Sequence, residues 1–240
     1  DKSGRRYQSD MAMDEESLRL PQQAVILCGG LGTRMLPYTN TIPKPMVPCN
    51  GKPFLWYLFQ QLEEQGIKRF ILLTGYLAGQ IEDYFGDGQT WGWQIQYSQG
   101  PVEWDTGTRI WEAKEKIDDR FLLLYSDNFV PFPIDKVLAL HEQNRLPLTF
   151  MVSQKSPGNI ALDGTGTVQN YDNNRSTDLG YVEIGYMIVE KEKTLGFFET
   201  PECSFSSILQ KMAAKQQISA WVQNDAYHSI SDPERWKKTE

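Results

Sequence analysis

Cysteine is scarce in this chain. Three thiols in 240 residues, Cys28, Cys49 and Cys203, are an odd number and stand at no metal-ligand spacing. That argues against a disulfide framework and points to reduced thiols in a cytoplasmic protein. Long apolar runs are missing too. The longest are of strand length, so no transmembrane helix is expected. The first twenty residues are polar and mixed in charge, with none of the apolar core of a signal peptide. There is no excess of positive charge: 24 Lys and Arg face 31 Asp and Glu, a net charge of -7. A nucleic-acid surface is thereby disfavoured, and any anionic ligand must be met by locally concentrated cations. Internal repeats and low-complexity tracts are absent. So are two familiar phosphate motifs. No Gly-x-x-x-x-Gly-Lys-Ser/Thr stretch occurs. A dinucleotide fingerprint beginning at Gly30 would need a small residue at position 35, which is Met35.

What the chain does have is concentrated between residues 24 and 47. An apolar run, Ala24 to Leu27, has strand length and no helical stripe. It leads into Gly29-Gly30-Leu31-Gly32, then Thr33-Arg34, and ten residues later Lys44 stands between Pro43 and Pro45. Glycines let backbone N–H groups approach a phosphate without a Cβ in the way. Thr33 adds a hydroxyl, and Arg34 and Lys44 add two cations suited to phosphate oxygens. The alternative, a tight turn with two solvated charges, leaves most of these features unexplained.

The rest of the chain alternates. Helical stripes are expected over 54–65, 77–85 and 106–117, and apolar strands over 70–74, 93–97 and 121–125. Gly66 is a C-cap candidate for the first helix. Strand–helix alternation predicts an α/β domain with a parallel sheet wound on both faces. Further on, 134–144, 206–215 and 233–238 read as helix, and 148–153 and 218–222 as strand. Residues 157 to 189 read as antiparallel strands (160–162, 168–171 and 181–189). Residues 1–22 read as a polar extension or linker, with a short helix over 14–20 allowed by composition, ahead of a domain spanning 23–240.

Gly-Gly-x-Gly-Thr-Arg after a strand, followed by Pro-Lys-Pro at this spacing, resembles the signature of the sugar-1-phosphate nucleotidyltransferases, the nucleoside-diphosphate-sugar pyrophosphorylases. The resemblance implies a three-layer α/β/α Rossmann-like fold. Its central sheet would be mixed and mostly parallel, with a small antiparallel region on the sugar side. The implied reaction joins a nucleoside triphosphate and a sugar 1-phosphate, with Mg²⁺, and releases pyrophosphate. Arg34, Lys44 and Asp127 would be catalytic, with Asp127 also a metal carboxylate. Leu27, Gly29, Gly30, Gly32, Thr33, Gln99, Thr106 and Gly107 would border the nucleotide. Glu183, Gly185 and Arg175 would border the sugar phosphate. A homo-oligomer is compatible with the pattern, as is a role supplying sugar nucleotides for cell-surface polysaccharide.

Several positions depart from the family. Ser126 replaces the Gly before the metal Asp, and Asp105 replaces a Gly in the Leu-Gly-Thr-x-Gly stretch. Glu183 stands where Asn is common, and no Glu-Lys-Pro precedes it. Near the C-terminus, Ser229 falls where a second metal Asp is usual, with Asp232 or Asp225 as substitutes. Otherwise the metal has one protein carboxylate, which Mg²⁺ tolerates. Read singly, Asp127 is also a turn residue, Gln99 an exposed polar group and Glu183 a solvent-facing strand residue. The wording of the first motif is closest to the heptose 1-phosphate guanylyltransferases, with hexose 1-phosphate cytidylyltransferases next. GTP with a heptose or mannose phosphate is the expectation. Two alternatives remain: a non-catalytic nucleotide-sugar-binding module, favoured by Ser229, and a cytidylyltransferase acting on another phosphate acceptor.

Overall fold

The first strand, β1 (Gln23–Cys28), is buried along its whole length, as a strand must be when it has neighbours on both edges and helices on both faces. In this computed structural model, which describes residues 19–240, it is the middle of a nine-stranded sheet. The expected extension up to residue 18, and with it most of the helix expected over 14–20, lies outside the described residues.

After β1 come a small hairpin of β2 (Pro48–Cys49) and β3 (Lys52–Pro53), then α1 (Phe54–Glu64), β4 (Arg69–Thr74), α2 (Ala78–Phe85) and β5 (Gln94–Gln99). Next are α3 (Thr106–Glu112), β6 (Arg120–Tyr125), β7 (Asn128–Phe129), α4 (Ile134–Asn144) and β8 (Leu148–Gln154). The chain continues through β9 (Gly158–Leu162), β10 (Val168–Ser176), β11 (Tyr181–Glu190) and α5 (Lys191–Leu195). It ends with α6 (Phe205–Ala214), β12 (Ile218–Val222), β13 (His228–Ser229) and α7 (Pro233–Thr239).

Strands β5, β4, β1 and β6 lie side by side and parallel. β11 runs antiparallel to both β6 and β8, and β12 is parallel to β8. One reversed strand therefore interrupts six that share a direction, giving the mixed, mostly parallel sheet. β9 and β10 form the antiparallel pair beside it. Successive β1 side chains point to opposite faces. Ala24 and Ile26 join a core with α1, α2 and α4, whereas Val25 and Leu27 join one with α3 and α6. That makes three layers.

Local chemistry explains the element ends. Gly66, at φ 87°, closes α1 as expected: its N–H bonds to Glu63 O, and that of Ile67 to Leu62 O. The helix expected over 106–117 stops at Glu112 and gives way to a tighter turn, Lys114–Lys116. Side chains from elsewhere take the carbonyls there. Lys191 Nζ donates to Ile117 O at 2.8 Å and Gln23 Nε2 to Lys116 O at 3.0 Å. Within β11 the register slips between Glu183 and Met187, at the left-handed pair Gly185 and Tyr186, a bulge of the kind found beside active sites.

Phe59 is the hub of the α1-side core. Its ring lies 4.5 Å from Phe70, 5.1 Å from Phe85 and 5.0 Å from Trp93. Phe59→Ala is expected to cost about 3–5 kcal/mol in urea unfolding. Tyr84→Ala, at the exposed rim of the same cluster, should cost less than about 1 kcal/mol. Equal losses would remove Phe59 from that role.

Candidate active site

β1 is where the sheet changes direction of growth: the chain adds β4 and β5 on one side of it and β6 on the other. In open α/β sheets the crevice outside the carboxyl ends at such a point is where ligands bind. A cleft of about 240 Å³ lies there, with Gly29, Gly30, Gly32, Lys44, Arg109 and Asp127 in its lining.

The glycine turn supplies its floor. The N–H groups of Gly30, Leu31 and Gly32 donate to no other atom among the described residues. Three consecutive free donors form an anion cradle. Gly32 is left-handed at φ 63°, and a Cβ there would press on Thr39 Cγ2 at 3.0 Å and Lys44 Cβ at 3.2 Å. Three short turns, Thr33–Met35, Tyr38–Asn40 and Lys44–Met46, then bring the chain back to the end of β6. Lys44 Nζ sits 3.3 Å from Asp127 Oδ2, with the two side chains 20% and 19% exposed. Thus residues read separately from the sequence meet at the cleft. Arg34 and Thr33 are exposed on the turn that follows the glycines.

Asp127 caps no helix: its backbone carbonyl accepts from Ile230 N–H at 2.9 Å. Ser126 has no positive φ among the described residues, so it replaces a Gly without strain. Ser229 pairs across from Asn128, beside Asp127, and its hydroxyl donates to Ser231 Oγ at 2.9 Å. Asp232 is occupied as the N-cap of α7, accepting from Arg235 N–H at 2.9 Å. Among the described residues no group of three or more His, Cys, Asp and Glu is gathered for a metal. Two carboxylates line the cleft: Asp105 is engaged at the start of α3, whereas Asp127 keeps an Oδ1 that carries no hydrogen bond from the described residues. That fits Mg²⁺, which keeps waters and substrate phosphate oxygens in its shell.

On the other wall, Thr106 and Asp105 line the cleft. Asp105 caps α3, accepting from Thr106 N–H at 2.7 Å. The Thr106 hydroxyl is engaged in structure, accepting from Phe205 N–H at 2.7 Å. Gly107 is buried against Cys203, and a Cβ there would meet Cys203 O and Sγ at 2.6 Å. Gln99 is exposed at the end of β5 and lies outside the cleft lining, as does Arg175, exposed on β10. Leu27 lines the cleft, and Gly185 packs near Tyr125, which also lines it. Sequence reading passed over Arg109, a cation 4% exposed that is among the residues lining the cleft. Its signal was a lone charge in the first turns of a helix otherwise facing the core.

Glu183 lies just before the β11 bulge, and its Oε1 accepts from Gly185 N–H at 2.6 Å. Burial pushes its carboxyl from 4.5 up to about 8; the Gly185 N–H pulls it back, and nearby Asp127 pushes it further. The folded protein then holds a proton that the unfolded chain has lost, so stability should fall as pH rises from about 4.5 to about 8. Glu183→Gln is expected to flatten that slope in thermal melts across this window. A slope identical to wild type would show that Glu183 titrates normally.

The chain is similar in sequence and fold to known proteins. The family model described as "Nucleotidyl transferase" matches residues 23–214. A D-glycero-alpha-D-manno-heptose 1-phosphate guanylyltransferase of Campylobacter jejuni is 32% identical over 212 residues, covering 88% of this chain and 96% of that protein. A probable glucose-1-phosphate cytidylyltransferase of Bacillus subtilis is 34% identical over 169 residues, 62% of this chain and 65% of the relative. Among solved structures, HddC from Yersinia pseudotuberculosis complexed with GMP-PN superposes with TM-score 0.72 at 25% identity, covering 91% of this chain and 97% of that one. A UTP-bound UGPase from Acinetobacter baumannii, at TM-score 0.79 and 17% identity, covers 92% of both chains and shares the fold. No helix among the described residues is long and apolar enough to cross a membrane. The chain belongs to the nucleotidyl transferase family, and it is an enzyme of the sugar-1-phosphate nucleotidyltransferase type.

Proposed function

We propose that the enzyme transfers a guanylyl group from GTP to a heptose 1-phosphate, or to the related mannose 1-phosphate, releasing pyrophosphate. One observation carries the site assignment: the Lys44–Asp127 pair, 3.3 Å apart, stands beside a glycine turn with three unused N–H donors. The choice of base and sugar is supported by the name of the Campylobacter relative and by the GMP-PN held in the Yersinia structure. A cytidylyl reading is supported by the Bacillus relative's name.

The chemistry follows from charge. An oxygen of the sugar phosphate is already an anionic nucleophile, so no general base is required. It attacks the α-phosphorus in line, the new P–O bond forms, and the bond to the β-phosphate oxygen breaks as pyrophosphate leaves. The barrier lies in bringing two anions together and in the charge spread over the α-phosphate oxygens. Positioning and fixed positive potential supply most of the acceleration. The glycine-turn N–H groups hold phosphate oxygens. Lys44 spans the α-phosphate and the incoming sugar phosphate, and Arg34 meets the leaving pyrophosphate. Asp127 orients Lys44 and would hold Mg²⁺, which when bound adds charge neutralisation on the phosphates. On the sugar side, the Glu183 carboxyl meets sugar hydroxyls; Arg175, exposed on β10 and outside the cleft lining, takes no part in the step.

Pyrophosphate release should be measured across GTP, CTP, UTP, dTTP and ATP against a panel of sugar 1-phosphates. GTP with heptose or mannose 1-phosphate is expected to be fastest; CTP with a hexose 1-phosphate would establish the cytidylyl reading instead. Lys44→Ala and Asp127→Ala should each lower kcat/KM by about 10²–10³-fold, as loss of one preorganised electrostatic contact does. Circular dichroism should remain native. Near-normal turnover in either variant would sink the assignment.

A further inference from the structure

Arg109 is a buried cation without a buried anion. Among the described residues it makes no ion pair. Instead its guanidinium is caged by backbone carbonyls. Nη1 donates to Thr74 O at 2.8 Å; Nη2 donates to Pro101 O at 2.8 Å and Gly29 O at 3.3 Å, with Val102 O at 3.5 Å. These carbonyls belong to three separate segments: the turn after β1, the end of β4 and the loop between β5 and α3. The first and last of these flank the cleft. A planar fork with five donors can hold three segments in one arrangement; a lysine, with a single point of charge, cannot.

The glycines around it are cut to its shape. A Cβ built on Gly29 would lie against Arg109 Cζ, with Nε at 2.5 Å and Nη1 at 2.6 Å. One built on Gly75 would meet Nη2 at 2.6 Å, Nη1 at 2.8 Å and Gly29 O at 2.9 Å. Neither glycine has a positive φ, so backbone conformation does not require glycine at either place. The nearest atoms to the Gly29 Cβ are all in the Arg109 side chain. The guanidinium thus occupies a slot whose walls are two glycines.

This has a consequence for the anion cradle. The Gly29 carbonyl is held by Arg109 Nη2 and by Tyr76 N–H at 3.2 Å. In a trans peptide the next N–H points opposite to that carbonyl. Fixing Gly29 O therefore fixes the direction of the Gly30 N–H, the first free donor of the turn. The same guanidinium fixes the 101–102 loop, which leads to Trp104 and Asp105 on the opposite wall of the cleft.

We propose that Arg109 is a positioning residue that sets the glycine turn and the 101–105 loop at the spacing a nucleotide requires, and that position 29 is glycine to admit Arg109 rather than to admit phosphate. The inference rests on the assignment of the cleft to a nucleoside triphosphate. It separates from the usual reason for a glycine at a phosphate turn, because the two reasons give different results when Arg109 is removed.

The test is a double-mutant cycle of wild type, Gly29→Ala, Arg109→Ala and the double variant. It is read by equilibrium binding of the triphosphate that wild type binds most tightly, and by steady-state kinetics. Each single variant should weaken nucleotide binding at least tenfold. The double variant should be no weaker than Arg109→Ala alone, because the added methyl then meets an empty slot. Losses that multiply in the double variant would mean that the nucleotide itself rejects the Cβ, and would overturn the proposal. Arg109→Lys keeps the charge and should still raise the nucleotide KM at least tenfold, with the sugar-phosphate KM changed less than twofold. A loss confined to kcat, or full recovery by lysine, would also overturn it. Millimolar guanidinium chloride should restore part of the nucleotide affinity of Arg109→Ala. If that variant does not fold, Arg109→Met, which keeps the apolar stem, carries the kinetic comparison. A wild-type protein that binds no triphosphate would refute the site assignment; normal binding by wild type and by the Arg109 variants alike would refute this inference alone.

Discussion

The Lys44–Asp127 contact joins residues 83 positions apart, and most of the architecture can be understood from what that contact demands. Lys44 must leave the glycine turn and return to the neighbouring strand end. The three short turns between residues 33 and 46 accomplish this, with Met35 and Thr39 buried beneath them. Asp127 must stand at the carboxyl end of β6, directly beside β1, which the parallel pairing of these strands provides. The chain as a whole carries a charge of -7, so its attraction for a triphosphate cannot come from a general field. It must come from a few cations and oriented N–H groups gathered in one partly desolvated cleft, where each interaction is stronger than in water.

Buried charge elsewhere in the site follows the same economy. Arg109 gives up its hydration for four carbonyl oxygens rather than a carboxylate. Carbonyl dipoles hold the group without a direct ion pair to a carboxylate. Desolvation works against this and draws the Arg109 pKa down, with Asp105 opposing, yet a guanidinium starts so high that it stays charged. Glu183 shows the opposite outcome. Burial pushes its carboxyl up to about 8, so this group near Asp127 is largely uncharged around pH 7.

The layers were readable because their cause is local. Four-to-six-residue apolar runs flanked by glycine, alternating with helical stripes, leave little choice but a buried parallel sheet. The sequence marked the glycine turn, Lys44 and Asp127 by residue type and spacing, and the fold brings Lys44 to Asp127 at the end of β6. Other positions depended on partners far away in sequence. Thr106 has the residue type of a ligand contact, but its hydroxyl serves Phe205, 99 residues on. The early end of α3 depends on Lys191 and Gln23, which nothing near residue 113 announces. Arg109 was passed over because an arginine in a helix ordinarily reads as a solvated charge. Only the positions of Gly29 and Gly75 show that room was left for it.

The substitution of Ser229 can be argued further from its surroundings. β13 pairs with β7 and sets Ser229 opposite Asn128, so the segment lies beside Asp127 although its side chain is not acidic. A second carboxylate there would add negative charge near Asp127 and Glu183, and the Glu183 carboxyl is already pushed up, by burial first and by Asp127 in addition. With serine in place, the hydroxyl is satisfied by Ser231 and the wall stays neutral. A Mg²⁺ held at Asp127 would have to draw its remaining ligands from phosphate oxygens and water, which it retains readily. Metal affinity in such an arrangement would depend on the triphosphate more than on the protein. Metal and nucleotide would therefore enter as one unit, and the cations of the glycine turn would be selecting for that unit rather than for either part.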